Sequence, residues 1–115
     1  MRRVDEAVRQ VIGDAVASEL KDPRVGFVTV TDVRTSPDLR HARVYVSVLG
    51  AEGGVSEPAE REESLAGLRS AHGFLQGRVA SELRLKRTPE LEFVYDDTTD
   101  RAMRLEELID RETDG

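Results

Sequence analysis

The chain contains no cysteine and no tryptophan, and its aromatic residues are three phenylalanines and two tyrosines. Without cysteine there is neither a disulfide framework nor a thiolate metal site. No segment approaches the ~20 consecutive apolar residues of a membrane span. The two histidines, His41 and His72, each stand alone, with no second histidine at metal-ligand spacing. Met1-Arg2-Arg3-Val4-Asp5-Glu6 leads directly into charged sequence without an apolar h-region, so no signal peptide is expected. These lacks are compatible with cytoplasmic residence, which is the expectation here, together with no metal, no cofactor and no membrane partner. The sequence demands nothing beyond a monomer. Positive charge is also in deficit: 17 Lys and Arg face 23 Asp and Glu, for a net charge of −6. A simple nucleic-acid binder would usually be basic.

The distribution of charge says more than its total. Residues 69–87 carry five basic side chains against one acidic, whereas residues 96–115 carry three against eight. A basic segment is thus set into an acidic protein. At 115 residues the chain fits a single domain. A domain of that size buries roughly 65% of its unfolded surface, enough for one core without covalent support.

Periodicity supplies the elements. Val4, Val8, Val11, Ile12, Ala15, Val16 and Leu20 recur at helical spacing over residues 2–20, and Asp22-Pro23 ends that helix. Phe27 to Val33 is rich in β-branched residues. Arg40 to Val48 alternates, with Ala42, Val44, Val46 and Val48 on one face and His41, Arg43, Tyr45 and Ser47 on the other. Ser36-Pro37-Asp38 between them is turn chemistry, so the two runs are expected to pair as an antiparallel hairpin. Gly50 to Pro58 reads as a loop, with Ser56, Glu57 and Pro58 as helix-start signals. A helix follows to about Leu85, with Leu65, Leu68, Leu75, Val79 and Leu83 on its apolar face. Pro89 precedes a third strand from Leu91 to Tyr95, and Thr98 or Thr99 is placed to cap a short terminal helix. The three phenylalanines, Phe27, Phe74 and Phe93, read as core, leaving Tyr45 as the candidate for stacking an unpaired base, so any RNA recognition is expected through backbone and shape more than through stacking.

The second long helix carries Gly73 in its interior, where glycine costs about 1 kcal/mol relative to alanine. A break is therefore expected at Gly73, exposing backbone N–H groups where a second helix starts. Basic side chains flank it. The resulting order, α-β-β-α-kink-α-β, predicts an α+β domain with a three-stranded sheet and helices on one face. It is the element order of a type II KH domain, in which a GXXG loop between two helices clamps nucleic-acid backbone. Here Ala71-His72-Gly73 occupies the place of that loop. The domain is expected over residues 1–96, with an acidic helical tail over residues 97–115.

Three stretches carry a family resemblance. They are Lys21-Asp22-Pro23-Arg24-Val25-Gly26-Phe27-Val28-Thr29-Val30-Thr31; Asp38-Leu39 with His41-Ala42-Arg43-Val44-Tyr45-Val46-Ser47-Val48; and Leu91-Glu92-Phe93-Val94-Tyr95-Asp96. Together with the Ala71-x-Gly73 kink they resemble the bacterial ribosome-binding factor A family, over residues 2 to 111. The resemblance implies a single type II KH-like domain that binds the free 30S subunit and contacts 16S rRNA. It implies a role in late maturation and 5′-end processing, important in the cold and without catalysis. By position it implies an RNA-facing set of Arg69, Ser70, Ala71, His72, Gly73, Arg78, Arg84, Lys86 and Arg87. The chain departs from the family in having Ala102 where many members have glycine before Met103-Arg104, and in its acidic tail and loop.

Other readings of the same residues stand beside this one. Gly73 would also serve two closely packed helices. Arg84, Lys86 and Arg87 would also suit a solvated helix end, where cations complement the dipole. Asp96-Asp97-Thr98-Thr99-Asp100 has the spacing of a Mg²⁺–diphosphate motif, but such sites need a large helical cavity and a second acidic motif, so capping of the terminal helix is the better account. No phosphate-binding loop, dinucleotide fingerprint or nucleophile–base constellation is present. Two further functions are carried as alternatives. One is a protein-interaction module whose acidic tail contacts ribosomal proteins or an assembly GTPase, and the other is a general single-strand RNA binder.

Overall fold

The computed structural model describes residues 2–20, 22–23, 25, 27–50 and 56–98. The first helix, α1, is Arg2–Ser18. Its end comes before the Asp22-Pro23 stop, because the N–H groups of Glu19 and Leu20 both turn back to the Ala15 carbonyl, at 2.9 and 3.1 Å. Strands β1 (Val28–Thr35) and β2 (His41–Val48) form the expected antiparallel hairpin, with Val28 opposite Val48 and Thr35 opposite Ala42.

A β-bulge at Thr31 explains how β1 keeps an apolar face despite an uneven sequence. Val30 and Val33 are three residues apart, which in a regular strand would place them on opposite faces. The register instead pairs Val30 with Val46 and Asp32 with Tyr45, so Thr31 is the extra residue and both valines reach the core. The Thr31 hydroxyl is donated to Asp96 Oδ2 at 2.6 Å, tying the bulge to the end of the third strand.

Helix α2 (Pro58–Ser70) starts where the sequence signals it, with proline in its first turn. The Glu57 backbone N–H donates to the Glu60 side chain at 2.9 Å, one half of a reciprocal capping box. Helix α3 (His72–Leu83) follows after one residue, and strand β3 is Glu90–Tyr95. β3 lies parallel to β2, giving the sheet order β1-β2-β3. Parallel neighbours need a crossover, and α2 with α3 supplies it. The break between helices therefore lies within the crossover.

One core joins the two layers. Val8, Ile12 and Ala15 of α1, Leu65 and Leu68 of α2, and Leu75 and Val79 of α3 pack onto Val33, Val44, Val46, Leu91 and Phe93 of the sheet. Every helix among the described residues lies on that one face. The chain is thus an α+β domain in the type II KH-like arrangement.

Three expectations need correction. The helix break is at Ala71 (φ −90°, ψ 9°), not at Gly73, which is already helical. The broken helix stops at Leu83, because Arg84 adopts the left-handed conformation (φ 47°) that terminates α-helices. Phe27 and Phe74 are exposed, and only Phe93 belongs to the core. Phe27 precedes β1 while its neighbour Val28 packs against the core, so alternation turns the ring away. Phe74 sits beside Leu75, which with Val79 takes the buried stripe of α3. The terminal helix expected from Thr98 or Thr99 lies outside the described residues.

Candidate nucleic-acid interface

At the kink, the Ala71 N–H is shared between the carbonyls of Gly67 (3.2 Å) and Leu68 (3.1 Å), while its own carbonyl accepts from Leu75 N–H at 3.0 Å. Ala71 thus closes α2 and opens α3 at the same time. Its small side chain rests against the core. No side chain caps the start of α3. Arg69 and Ser70 in the last turn of α2 are exposed, as is Gly73, and His72 is half-buried.

Gly73 is glycine for no internal reason. Its φ is not left-handed, and a Cβ built on it would meet no heavy atom within 4 Å. Close packing of two helices, the alternative role for this residue, is therefore absent. The bare backbone faces outward.

Gln76, one turn further along, connects the kink to the loop before β3. Its Nε2 donates to the Pro89 carbonyl at 2.7 Å and its Oε1 accepts from Leu91 N–H at 3.1 Å. The chain just after the basic segment Arg84-Leu85-Lys86-Arg87 is thereby anchored to α3, although Arg84 itself ends a helix about 18 Å long. Arg84, Lys86 and Arg87 are all exposed.

Parallel pairing brings a third segment to the same end of the sheet. β2 and β3 begin side by side, His41 opposite Glu90, and the Glu90 N–H donates to the Arg40 carbonyl at 2.8 Å. The β1–β2 turn therefore borders a groove shared by Asp38, Leu39, Arg40, Lys86 and Arg87. The turn is held in shape by Asp38, whose Oδ1 accepts from the Ser36 hydroxyl at 2.7 Å and from Arg40 N–H at 3.1 Å. Those bonds, led by the Ser36 hydroxyl, hold the Asp38 carboxyl below its ordinary range. They also fix Leu39 at φ 60°, a conformation uncommon for leucine.

Arg78 sits differently from the other basic residues. Its guanidinium bridges Glu19, just past the end of α1, at 2.9 Å and Glu82 of α3 at 2.8 Å, and its Nε is buried without a hydrogen-bond partner. It ties α3 to α1. Sequence reasoning missed Arg40 and Gln76. Arg40 carries a local signal, since it immediately follows the Asp38-Leu39 turn, but its place beside Lys86 and Arg87 depends on the β2–β3 register. Among the described residues, no group of three or more His, Asp or Glu side chains is placed to hold a metal ion, and no helix is long and apolar enough to cross a membrane.

Fold and site together define a small KH-like domain with a helix–kink–helix crossover, whose basic strand-entry loops share one end of the sheet. The family model for ribosome-binding factor A matches residues 1–109. A ribosome-binding factor A from Halorhodospira halophila is 46% identical over 109 residues, covering 95% of this chain and 82% of that protein. The chain belongs to the ribosome-binding factor A family. The fold is similar to the crystal structure of the Thermus thermophilus protein of that name, with a TM-score of 0.67 at 28% identity over 82% of this chain and 93% of that one. It is also similar to a Thermotoga maritima putative ribosome-binding factor A solved by NMR, with a TM-score of 0.67 at 33% identity, covering 81% and 83% of the two chains. A further match, with a TM-score of 0.60 at 28% identity over 80% and 90%, is a homology model of the Thermus thermophilus factor fitted into a cryo-EM map of its complex with the 30S subunit.

Proposed function

We propose that this protein binds the immature 30S subunit through 16S rRNA and assists late maturation, including processing near the 5′ end, without performing chemistry. The observation that carries this reading is the convergence at one end of the fold. There, Arg40 and the Lys86-Arg87 loop, from separate segments of an acidic protein, share one groove, and Gln76 of α3 is bonded to Pro89 just beyond that loop. The Thermus thermophilus relative fitted into a 30S complex supports the same partner. Mechanistically, a factor that binds one rRNA conformer more tightly than another shifts the population toward it by that difference in affinity, and no catalytic group is needed. Contacts of this kind are made to backbone and RNA shape.

Co-sedimentation of the purified protein with separated small subunits, large subunits and assembled ribosomes, at two salt concentrations, tests the reading. Pelleting with small subunits alone, weakened by salt, is the expected result, since phosphate contacts release counterions. Replacing Arg84, Lys86 and Arg87 together by alanine should weaken binding and flatten the slope of log affinity against log salt, by about 0.7–0.9 for each phosphate that is no longer neutralised. Unchanged binding by the folded triple variant would remove this loop from the interface. The acidic residues 96–115 favour a second reading, in which the tail of residues 97–115 contacts basic ribosomal proteins or an assembly GTPase. That reading predicts loss of binding on deleting the tail, with the basic loop dispensable.

A further inference from the structure

We propose that Phe74 is a stacking platform for an unpaired rRNA base, an inference that rests on the RNA-binding reading above and adds a contact of different chemistry to it. The ring is 45% exposed, whereas Phe93 is 3% exposed. The inward positions of α3 are taken by Leu75 and Val79, both fully buried, so Phe74 contributes little to the core. A ring left half in water forgoes much of the stabilisation that burial would give it.

The surroundings of the ring distinguish it from an ordinary exposed apolar residue. Gly73 precedes it, and Gly77 stands three positions on, the spacing at which helical residues are neighbours. Neither glycine has a heavy atom within 4 Å of the place where its Cβ would be. The ring is therefore flanked by bare backbone on the outer surface of the helix, leaving room for a flat group to lie against it. Ser70, on the preceding turn, is exposed as well. An apolar protein pocket would be better matched by several adjoining apolar side chains, as at Phe27 and Leu49, which are 68% and 39% exposed and joined by a hydrogen bond from Leu49 N–H to the Phe27 carbonyl.

Charge selects the occupant. Phe74 lies within residues 69–87, which carry four basic side chains (Arg69, Arg84, Lys86 and Arg87) besides Arg78, whose charge is met by Glu19 and Glu82, in a protein of net charge −6. An aromatic ring in a basic setting suits a nucleotide, with the base stacked on the ring and the phosphate among the cations. A base paired within a duplex offers no free face, so the partner is a single-stranded nucleotide in a loop or at an end of the rRNA.

The chain has no tryptophan, so Phe74→Trp places a single fluorescent reporter at the site in the full-length protein. Phe74→Leu keeps the apolar bulk and removes the π-face. Stacking on an aromatic side chain is typically worth about tenfold or more in affinity. Phe74→Leu is therefore expected to bind small subunits about tenfold more weakly, with the slope of log affinity against log salt unchanged, because every phosphate remains neutralised as before. Phe74→Trp should keep the affinity, and its emission should be quenched by small subunits and by protein-free 16S rRNA alike. Urea unfolding of both variants should match the parent, since the position is exposed. Undiminished binding by Phe74→Leu would overturn the proposal. So would a tryptophan that responds to intact subunits by a blue shift without quenching and ignores protein-free rRNA, since the ring would then pack on a ribosomal protein. Failure of the parent protein itself to bind small subunits would instead remove the RNA-binding reading, and this inference with it.

Discussion

Replacing Gly73 by alanine should make the protein more stable and its interaction with small subunits weaker. Gly73 is the second residue of α3, its φ is not left-handed, and an added Cβ meets nothing within 4 Å. Alanine then restricts the unfolded chain without straining the native one, a gain of about 0.4–1 kcal/mol. The full helix-interior difference is about 1 kcal/mol, and at the second position of the helix about half of it is expected. A gain of about 0.5 kcal/mol corresponds to a rise in Tm of about 2–4 °C for a domain of roughly this size. Gly77→Ala, equally unobstructed but in the helix interior, should give nearer 1 kcal/mol. Urea titration followed by circular dichroism measures both, with the midpoint rising and the m-value unchanged. In a parallel sedimentation assay, Gly73→Ala should bind small subunits at least several-fold more weakly, about 1 kcal/mol or more, because the methyl group intrudes where the partner approaches. A destabilised Gly73→Ala would refute the reasoning outright, since it would show an internal need for glycine. A stabilised variant with full binding would move the close approach away from Gly73.

Gln76→Leu removes the side chain that accepts from Leu91 N–H and donates to the Pro89 carbonyl. Leaving these part-buried backbone groups unpartnered should cost about 2 kcal/mol in urea unfolding, and a destabilisation under about 0.5 kcal/mol would show that the bridge is not needed to hold the loop. The Asp38 carboxyl lies below its ordinary value of 3.8 in the folded protein, chiefly through the Ser36 hydroxyl. Its contribution to the β1–β2 turn is therefore fully present above that value and disappears as the pH falls below it. The Leu39 and Arg40 amide resonances should hold steady down to about pH 4 and move below it, and a transition centred above 3.8 would contradict the hydrogen bonding described.

The elements were legible because each follows from local rules. Apolar spacing set α1, alternation set β2, and Glu57-Pro58 set the start of α2. Where the structure departs from those expectations, a non-local or backbone cause can be named. The bulge at Thr31 was not visible in the composition of β1, because it arises from the register against β2 that lets Val30 and Val33 share a face. Helical periodicity could not show that Arg84 would turn left-handed and stop α3 at Leu83. Phenylalanine is usually buried, and that tendency placed Phe27 and Phe74 wrongly. Which face of α3 enters the core was decided by Leu75 and Val79 together. Glycine marked the neighbourhood of the helix break but not the residue, since the break falls on Ala71.

The sequence by itself determined the succession of elements, the family and the placing of positive charge within an acidic chain, because periodicity, motif spacing and charge are properties of neighbours along the chain. Only the tertiary structure decided what meets at the candidate interface. β2 and β3 run parallel, so their first residues enter the sheet together, and this sets Arg40 beside the Lys86-Arg87 loop although the two are more than forty positions apart. The same crossover brings Gln76 onto the start of β3 and turns Arg78 toward Glu19. Hydrogen bonding between strands acts across the fold and is blind to distance along the chain, which is why the site had to be read from the structure.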